Sequence, residues 1–128
     1  MASKKKAGEP RDPRSFLPLK PDLFHILLAL SEGELHGYGI MKLVEENTEG
    51  EIMLEPSPLY RRLKRFLESG LVTEGDGGPS QSSGDERRRY YRLSSFGRQV
   101  LAAEAARLVE LTNNRRVRAL ATSAGRIP

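Results

Sequence analysis

The stretch EPSPLYRRLKRFLESGL, residues 55–71, predicts an amphipathic helix with one cationic face. Ser57 is a good N-cap, and Pro58 fits the first helical position because its missing N–H would have no partner there. At about 100° per residue, the apolar side chains fall on one side of the helix: Leu59, Leu63, Phe66 and Leu67. The cationic side chains Arg61, Lys64 and Arg65 fall on the opposite side. Such a helix suits the groove of a nucleic acid.

Two further helices are predicted before this stretch. KPDLFHILLALSEG, residues 20–33, has a proline suited to a first turn and is apolar on most sides, so we expect broad burial. LHGYGIMKLVEENTEG, residues 35–50, has apolar residues at helical spacing and glutamates beyond them. Gly37 and Gly39 let another backbone come close, which is either a neighbouring helix or a phosphate strand.

A β-hairpin is predicted after the cationic helix. LVTE, residues 71–74, and RRRYYRL, residues 87–93, alternate as strands. The glycine- and serine-rich residues 75–86 between them form a loop. The second strand gives the hairpin an arginine-rich stem formed by Arg87, Arg88 and Arg89.

The segment SSFGRQVLAAEAARLVELTNN, residues 94–114, predicts a last helix that is capped by Ser94 or Ser95. Its apolar stripe favours dimerisation through a partner helix over packing on its own domain alone, and consists of Leu101, Ala105, Leu108 and Leu111. The helical signal fades after Asn114.

Composition and charge exclude several classes of function. The chain of 128 residues has no cysteine, so disulfides and zinc–thiolate sites are excluded. It has no apolar run of about 18–20 residues and no signal-peptide pattern, so we expect a cytoplasmic protein without a membrane span. Its two histidines accompany no catalytic or metal-binding set, so we expect neither an enzyme nor a cofactor.

Charge is sorted along the chain. Residues 22–56 carry eight acidic and one basic side chain, whereas residues 57–98 carry nine basic and five acidic ones. This sorting suggests one face made for a polyanion, and a merely soluble surface is the alternative.

The order of elements predicts a mainly α fold with a small β-hairpin, a winged helix-turn-helix followed by a C-terminal dimerisation helix. We expect residues 1–15 to form a disordered basic arm and residues 16–93 the winged-helix domain. Residues 94–122 form the dimerisation helix in this prediction, and residues 123–128 a flexible tail.

Three motifs, in matching order and spacing, resemble the PadR-type transcriptional regulators: HGYGI at 36–40, SPLYRRLKRFLESGLV at 57–72 and RRRYYRLSSFG at 87–97. The resemblance covers about residues 22–111. Pro56-Ser57-Pro58 departs from the family's usual Pro-Gly-Thr, and Leu93-Ser94 from its Leu-Thr, yet both keep the helix caps. The resemblance implies a homodimeric DNA-binding regulator, most often a repressor, that in many members is released by a small aromatic or drug-like ligand.

The predicted contacts with a double-stranded DNA operator follow from this arrangement. Arg61 and Lys64 are expected at base edges, with Tyr60 and Arg65 at phosphates. The other predicted DNA-binding residues are Ser57, Gly37, Tyr38, Arg87, Arg88 and Arg89. Packing is the alternative for Gly37 and Tyr60. A dimer would place its reading helices one DNA turn apart, about 34 Å, on a palindrome. A winged helix used for protein–protein contact is the alternative function.

Overall fold

The computed structural model describes residues 11–76 and 89–124, and its element order confirms the predicted fold class. The helices are α1 (Pro21–Leu30), α2 (Gly37–Asn47), α3 (Pro56–Ser69), α4 (Ser95–Thr112) and α5 (Arg115–Ala124). The strands are β1 (Leu35–His36), β2 (Val72–Glu74) and β3 (Tyr90–Leu93), and a short 3-10 helix spans Pro13–Phe16. None of the helices in the described residues is long and apolar enough to cross a membrane.

One hydrophobic core joins α1, α2 and α3 to the sheet and the first half of α4. Each helix contributes residues at helical spacing, as the sequence predicts. The fully or almost fully buried residues include Ile26, Leu27, Leu30, Ile40, Val44, Leu59, Leu63, Val72, Tyr91, Val100 and Leu101. Because this core holds the apolar face of α3, the opposite face of α3 is left to solvent.

The sheet has three antiparallel strands in the order β1-β3-β2, one more than the predicted hairpin. β2 pairs with β3 through Val72 and Leu93, and β1 pairs with the other edge of β3 through Leu35 and Tyr91. β1 has only two residues, so it carries no alternating pattern that could be recognised in the sequence.

Helix α3 begins earlier than predicted. Glu55 is its N-cap and Pro56 its first residue, so the prediction that Ser57 caps the helix is wrong. Pro56 and Pro58 both fit the first turn, because N–H groups there have no intrahelical partner. The helix ends at Gly70, whose positive φ of 81° forms the left-handed C-cap. The extended connector before α3 contains no strand.

The described part of the N-terminal arm is ordered, which contradicts the predicted disorder for residues 11–15. The 3-10 helix packs against α4, with Phe16 edge-to-face on Phe96 at a centroid distance of 5.6 Å. The guanidinium carbon of Arg11 lies 4.2 Å from the centroid of the Phe96 ring. These aromatic contacts on distant α4 give no local signal in the sequence. Residues 1–10 lie outside the described residues.

The predicted single helix over residues 94–122 is two helices, because the helical conformation is interrupted at Asn113 and Asn114. The Asn114 Oδ1 accepts hydrogen bonds from the backbone N–H groups of Arg116 (2.9 Å) and Val117 (3.1 Å). An asparagine in this position is a strong N-cap and therefore starts a new helix. α5 continues to Ala124, into the predicted flexible tail, and residues 125–128 lie outside the described residues.

Candidate nucleic-acid interface

The exposed face of α3 brings together five of the predicted DNA-binding residues. Ser57, Tyr60, Arg61, Lys64 and Arg65 are all exposed, on the side of the helix opposite its buried leucines. We call these five residues the α3 face. Their spacing places them along the first three turns of the helix, where the side chains of neighbouring turns lie side by side. The helix therefore presents a continuous polar and cationic strip.

Among the described residues, the cations of the α3 face have no acidic partners. Within residues 11–76 and 89–124, no carboxylate oxygen lies within 4.0 Å of the charged groups of Arg61, Lys64 or Arg65. Arg62 differs, because its Nε lies 2.6 Å from Asp22 Oδ2 and so ties α3 to α1. Three positive charges are therefore available to an external anion, and one has a structural role.

Tyr60 lies where α3 meets the start of α2. Its side chain is 45% exposed, yet its ring rests on Gly37, which is buried. A Cβ on Gly37 would lie 2.6 Å from Tyr60 Cζ, so a larger residue there would require the Tyr60 side chain to move. This contact favours packing as the role of Gly37. It leaves the outer edge of Tyr60 at the surface.

The N-terminus of α2 is organised by His36. Its Nδ1 accepts a hydrogen bond from the backbone N–H of Gly39 at 3.1 Å and so caps the helix. The His36 ring also stacks on the Tyr38 ring, with 6.4 Å between the ring centroids, and Tyr38 remains 63% exposed. Tyr38 is therefore accessible beside α3, as its predicted phosphate contact requires.

The wing stem is only partly described. Arg87 and Arg88 lie outside the described residues. Arg89 is exposed, and its Nη1 lies 3.6 Å from Glu74 Oε2 on β2, so its charge is partly matched within the hairpin. Arg92, which the prediction omitted, is exposed on β3 with no carboxylate oxygen within 4.0 Å among the described residues. Strand alternation was the signal that could have identified it.

Burial on the other side of β3 fixes the strand in place. Tyr91 is only 3% exposed, and burial raises the pKa of its hydroxyl above the usual value of 10.0. The nearby Tyr60 hydroxyl acts in the same direction. Tyr91 therefore stays neutral at physiological pH and serves as a core residue.

The predicted dimerisation stripe divides into two parts. Leu101 is 7% exposed and belongs to the core of its own domain, so it is not free to meet a partner. Ala105 and Leu111 are exposed and Leu108 is half-buried, because the domain lies beneath only the first half of α4. Val109, which the prediction omitted, is 58% exposed on this bare half.

A groove of about 1020 Å³ runs beside the α3 face, between α3 and the segment that leads into α1. Its lining includes the apolar side chains of Phe16, Leu19 and Leu23. Arg61 and Lys64 of the α3 face also line it. No cluster of three or more potential metal ligands occurs in the described parts of the chain.

The pattern of the transcriptional regulator PadR-like family matches residues 26–103. The match begins in α1 and ends in α4, so it contains α3, the sheet and the start of the last long helix. No curated protein sequence matches the chain significantly.

Solved structures show the same fold. RosR of H. salinarum is 22% identical with a TM-score of 0.58, over 85% of this chain and 92% of that one. A transcriptional regulator from Clostridium thermocellum is 21% identical with a TM-score of 0.56, over 78% and 89%. Bacillus subtilis PadR in complex with operator DNA is 26% identical with a TM-score of 0.55, over 66% of this chain and 46% of that one.

The family match and the shared fold support each other. The matched residues make up more than half of the 128. They also include all three motifs that carried the resemblance in the sequence. The chain belongs to the PadR-like family of transcriptional regulators.

Proposed function

We propose that this protein is a cytoplasmic, homodimeric repressor that binds a palindromic DNA operator through α3. The observation that carries the proposal is the α3 face, whose three cations have no acidic partner within 4.0 Å among the described residues. Unpaired arginines and lysines on the exposed face of a helix suit both base edges and phosphates.

The five residues of the α3 face have distinct proposed roles. Arg61 and Lys64 contact base edges, where a bidentate arginine–guanine contact contributes about 1–3 kcal/mol of discrimination. Tyr60 and Arg65 contact phosphates. Ser57, in the first turn, fits a backbone contact that fixes the register of the helix on the duplex.

The exposed second half of α4 supports the homodimer in this proposal. Two copies joined there would present two α3 helices to one side of a duplex. Half-sites about 34 Å apart, one helical turn, would then form the operator. Binding there would block transcription from an overlapping promoter.

Release by a small aromatic or drug-like ligand stays a prediction from the family. The groove beside α3 is a reasonable place for it, since Arg61 and Lys64 line it together with apolar side chains. A ligand there would compete with DNA for the same cations. Alternatively, a ligand at the dimer helices would change the spacing of the two α3 helices.

Selection of bound duplexes from a random library tests the proposal. Wild type should enrich a palindrome with half-sites one turn apart. Arg61→Ala/Lys64→Ala should lose this enrichment and keep weak, salt-dependent binding, because the phosphate contacts remain. Arg14→Ala/Arg98→Ala is the matched control: it removes two exposed cations that lie outside α3 and α5, and it should select the same palindrome as wild type.

The selection also separates the two functional classes. If wild type enriches no sequence and binds all duplexes equally, the sequence-specific regulator is ruled out. If it binds no duplex at low salt, the winged helix serves protein–protein contact. Equal loss in both double variants would show that net charge matters and the α3 face does not.

A further inference from the structure

Helix α2 carries a surface groove that shares only Tyr38 with the predicted DNA contacts. The groove has a volume of about 640 Å³ and runs along α2 toward the connector that leads to α3. Its apolar lining is unusually open to solvent, since Met53 is 64% exposed and Tyr38 63% exposed. The charged side chains that line it all belong to α2 or directly follow it, and are three acids and one lysine: Glu45, Glu46, Glu49 and Lys42. We call this surface the α2 groove.

Helix α5 is an exposed amphipathic helix. None of its residues is buried, and Leu120 is 70% and Val117 40% exposed. Its apolar residues recur at i, i+3, i+4 and i+7, which places them on one face: Val117, Leu120, Ala121 and Ala124. Its charged residues are all arginines: Arg115, Arg116 and Arg118.

We propose that α5 of one copy of this chain docks into the α2 groove of a second copy. The contact would cover the apolar face of α5 with Met53 and Tyr38, and would bring its arginines to the glutamates that border the groove. Like α5, the part of α2 that lines the groove is about three turns long, roughly 15 Å at 1.5 Å per residue. The proposal does not rest on the DNA contacts proposed for the α3 face.

Charge decides between this contact and the pairing of two α5 helices. Two α5 helices face to face would gather six arginines and no carboxylate, and like charges at an interface oppose association. The α2 groove offers three carboxylates and one lysine, a net negative charge, to the same three arginines. It is therefore the better electrostatic match for α5 on this molecule.

Disulfide trapping tests the contact directly, because the chain contains no cysteine. Met53→Cys protein and Leu120→Cys protein are mixed in equal amounts without DNA and oxidised. Both positions are exposed, so both variants should unfold at the wild-type temperature. A disulfide needs Cβ atoms about 3.5–4.5 Å apart, so we expect a mixed product with one chain of each kind, identified by its intact mass.

Two controls give the result its meaning. Glu32→Cys, an exposed position at the end of α1, replaces Met53→Cys and should yield about tenfold less mixed product. Glu45→Arg/Glu49→Arg added to the Met53→Cys protein should slow trapping about tenfold, and Arg115→Glu/Arg118→Glu in the Leu120→Cys protein should restore it.

Three results would overturn the proposal. A predominant Leu120→Cys homodimer would mean that α5 pairs with itself. Equal yields with the Glu32→Cys control would mean random collision. If neither charge reversal changes the rate of disulfide trapping, the glutamates that border the groove have no role. Each of these leaves the DNA-binding proposal intact, since the duplex selection measures a different surface.

Discussion

Glu104 is a buried charged residue that the sequence does not predict. It is 2% exposed on α4, and its Oε2 accepts a hydrogen bond from the backbone N–H of Leu19 at 3.0 Å. The Nε of Arg107 donates to its Oε1 at 2.6 Å. The carboxylate therefore joins α4 to the segment before α1, 85 residues earlier. The i,i+3 spacing to Arg107 was the visible signal, but such pairs are usually solvated.

The stability of the protein should depend on the ionisation of Glu104. The Arg107 hydrogen bonds, and then that of Leu19, hold the pKa of this carboxyl below its ordinary value of 4.5, against the opposing effect of burial. The charged form therefore stabilises the fold above pH 4.5, and this contribution is lost as the pH falls through the lowered pKa. Urea unfolding of wild type and Glu104→Gln across pH 3–7 measures it.

We expect Glu104→Gln to lower the free energy of unfolding by about 1–3 kcal/mol at pH 7, because a charged hydrogen bond to Arg107 is lost. The difference from wild type should shrink as the pH falls below 4.5. Glu110→Gln, at an exposed position of the same helix, should change the free energy by less than about 0.5 kcal/mol. A constant difference at all pH values would contradict the assigned role.

At the scale of single elements, the helix interiors were easier to predict than their ends. Apolar periodicity identified α1, α2, α3 and the first half of α4, because burial on one face leaves a repeating pattern. The position of a helix end depends on which of several adjacent residues acts as the cap. α3 starts at Pro56 although Ser57 is a good capping residue, and Ser94 and Ser95 were both candidates at the start of α4. Strand β1 gave no signal because it has only two residues.

The structure resolves the second of these choices and makes it testable. Ser94 Oγ accepts from the backbone N–H of Gly97 at 2.9 Å and donates to the carbonyl of Gly70 at the end of α3. Ser94→Ala should therefore cost about 1–2 kcal/mol, the value of a lost N-cap. Ser95→Ala is the matched control and should be nearly neutral, because Ser95 is exposed in the first turn. Equal effects in thermal unfolding would argue against the cap.

For the whole molecule, the sequence predicted the architecture but not how distant segments meet. The three motifs with their order and spacing sufficed for the winged helix. The sequence also predicted that the five residues of the α3 face share one exposed side of a helix, because helical spacing alone determines which side chains lie together. Docking of Arg11 and Phe16 on Phe96 depends on residues about 80 positions apart, so no local pattern reveals it. Leu101 was predicted to contact a partner helix because an apolar stripe does not show which of its residues pack on their own domain.

If the exposed second half of α4 forms the proposed dimer interface, a negative charge introduced there should weaken the dimer. Ala105→Glu should raise the dimer dissociation constant by more than about tenfold, because a buried unpaired carboxylate costs more than 1.4 kcal/mol. Sedimentation over a range of concentrations measures it. Gln99→Glu introduces the same charge at another exposed position of α4 and should leave the dimer intact. An unchanged dimer in Ala105→Glu would place the interface elsewhere.

The separation of acids on α2 from cations on α3 has a kinetic consequence. A molecule with positive and negative charge on different helices carries an electric dipole, and the field of a polyanion exerts a torque on it. In the proposed mode of DNA binding, that torque would turn α3 toward the approaching duplex and the glutamates of α2 away from it before any contact forms. Productive encounters become more frequent than a random approach would give. Added salt shortens the range of this alignment to about 8 Å at 0.15 M, so it slows arrival more than departure.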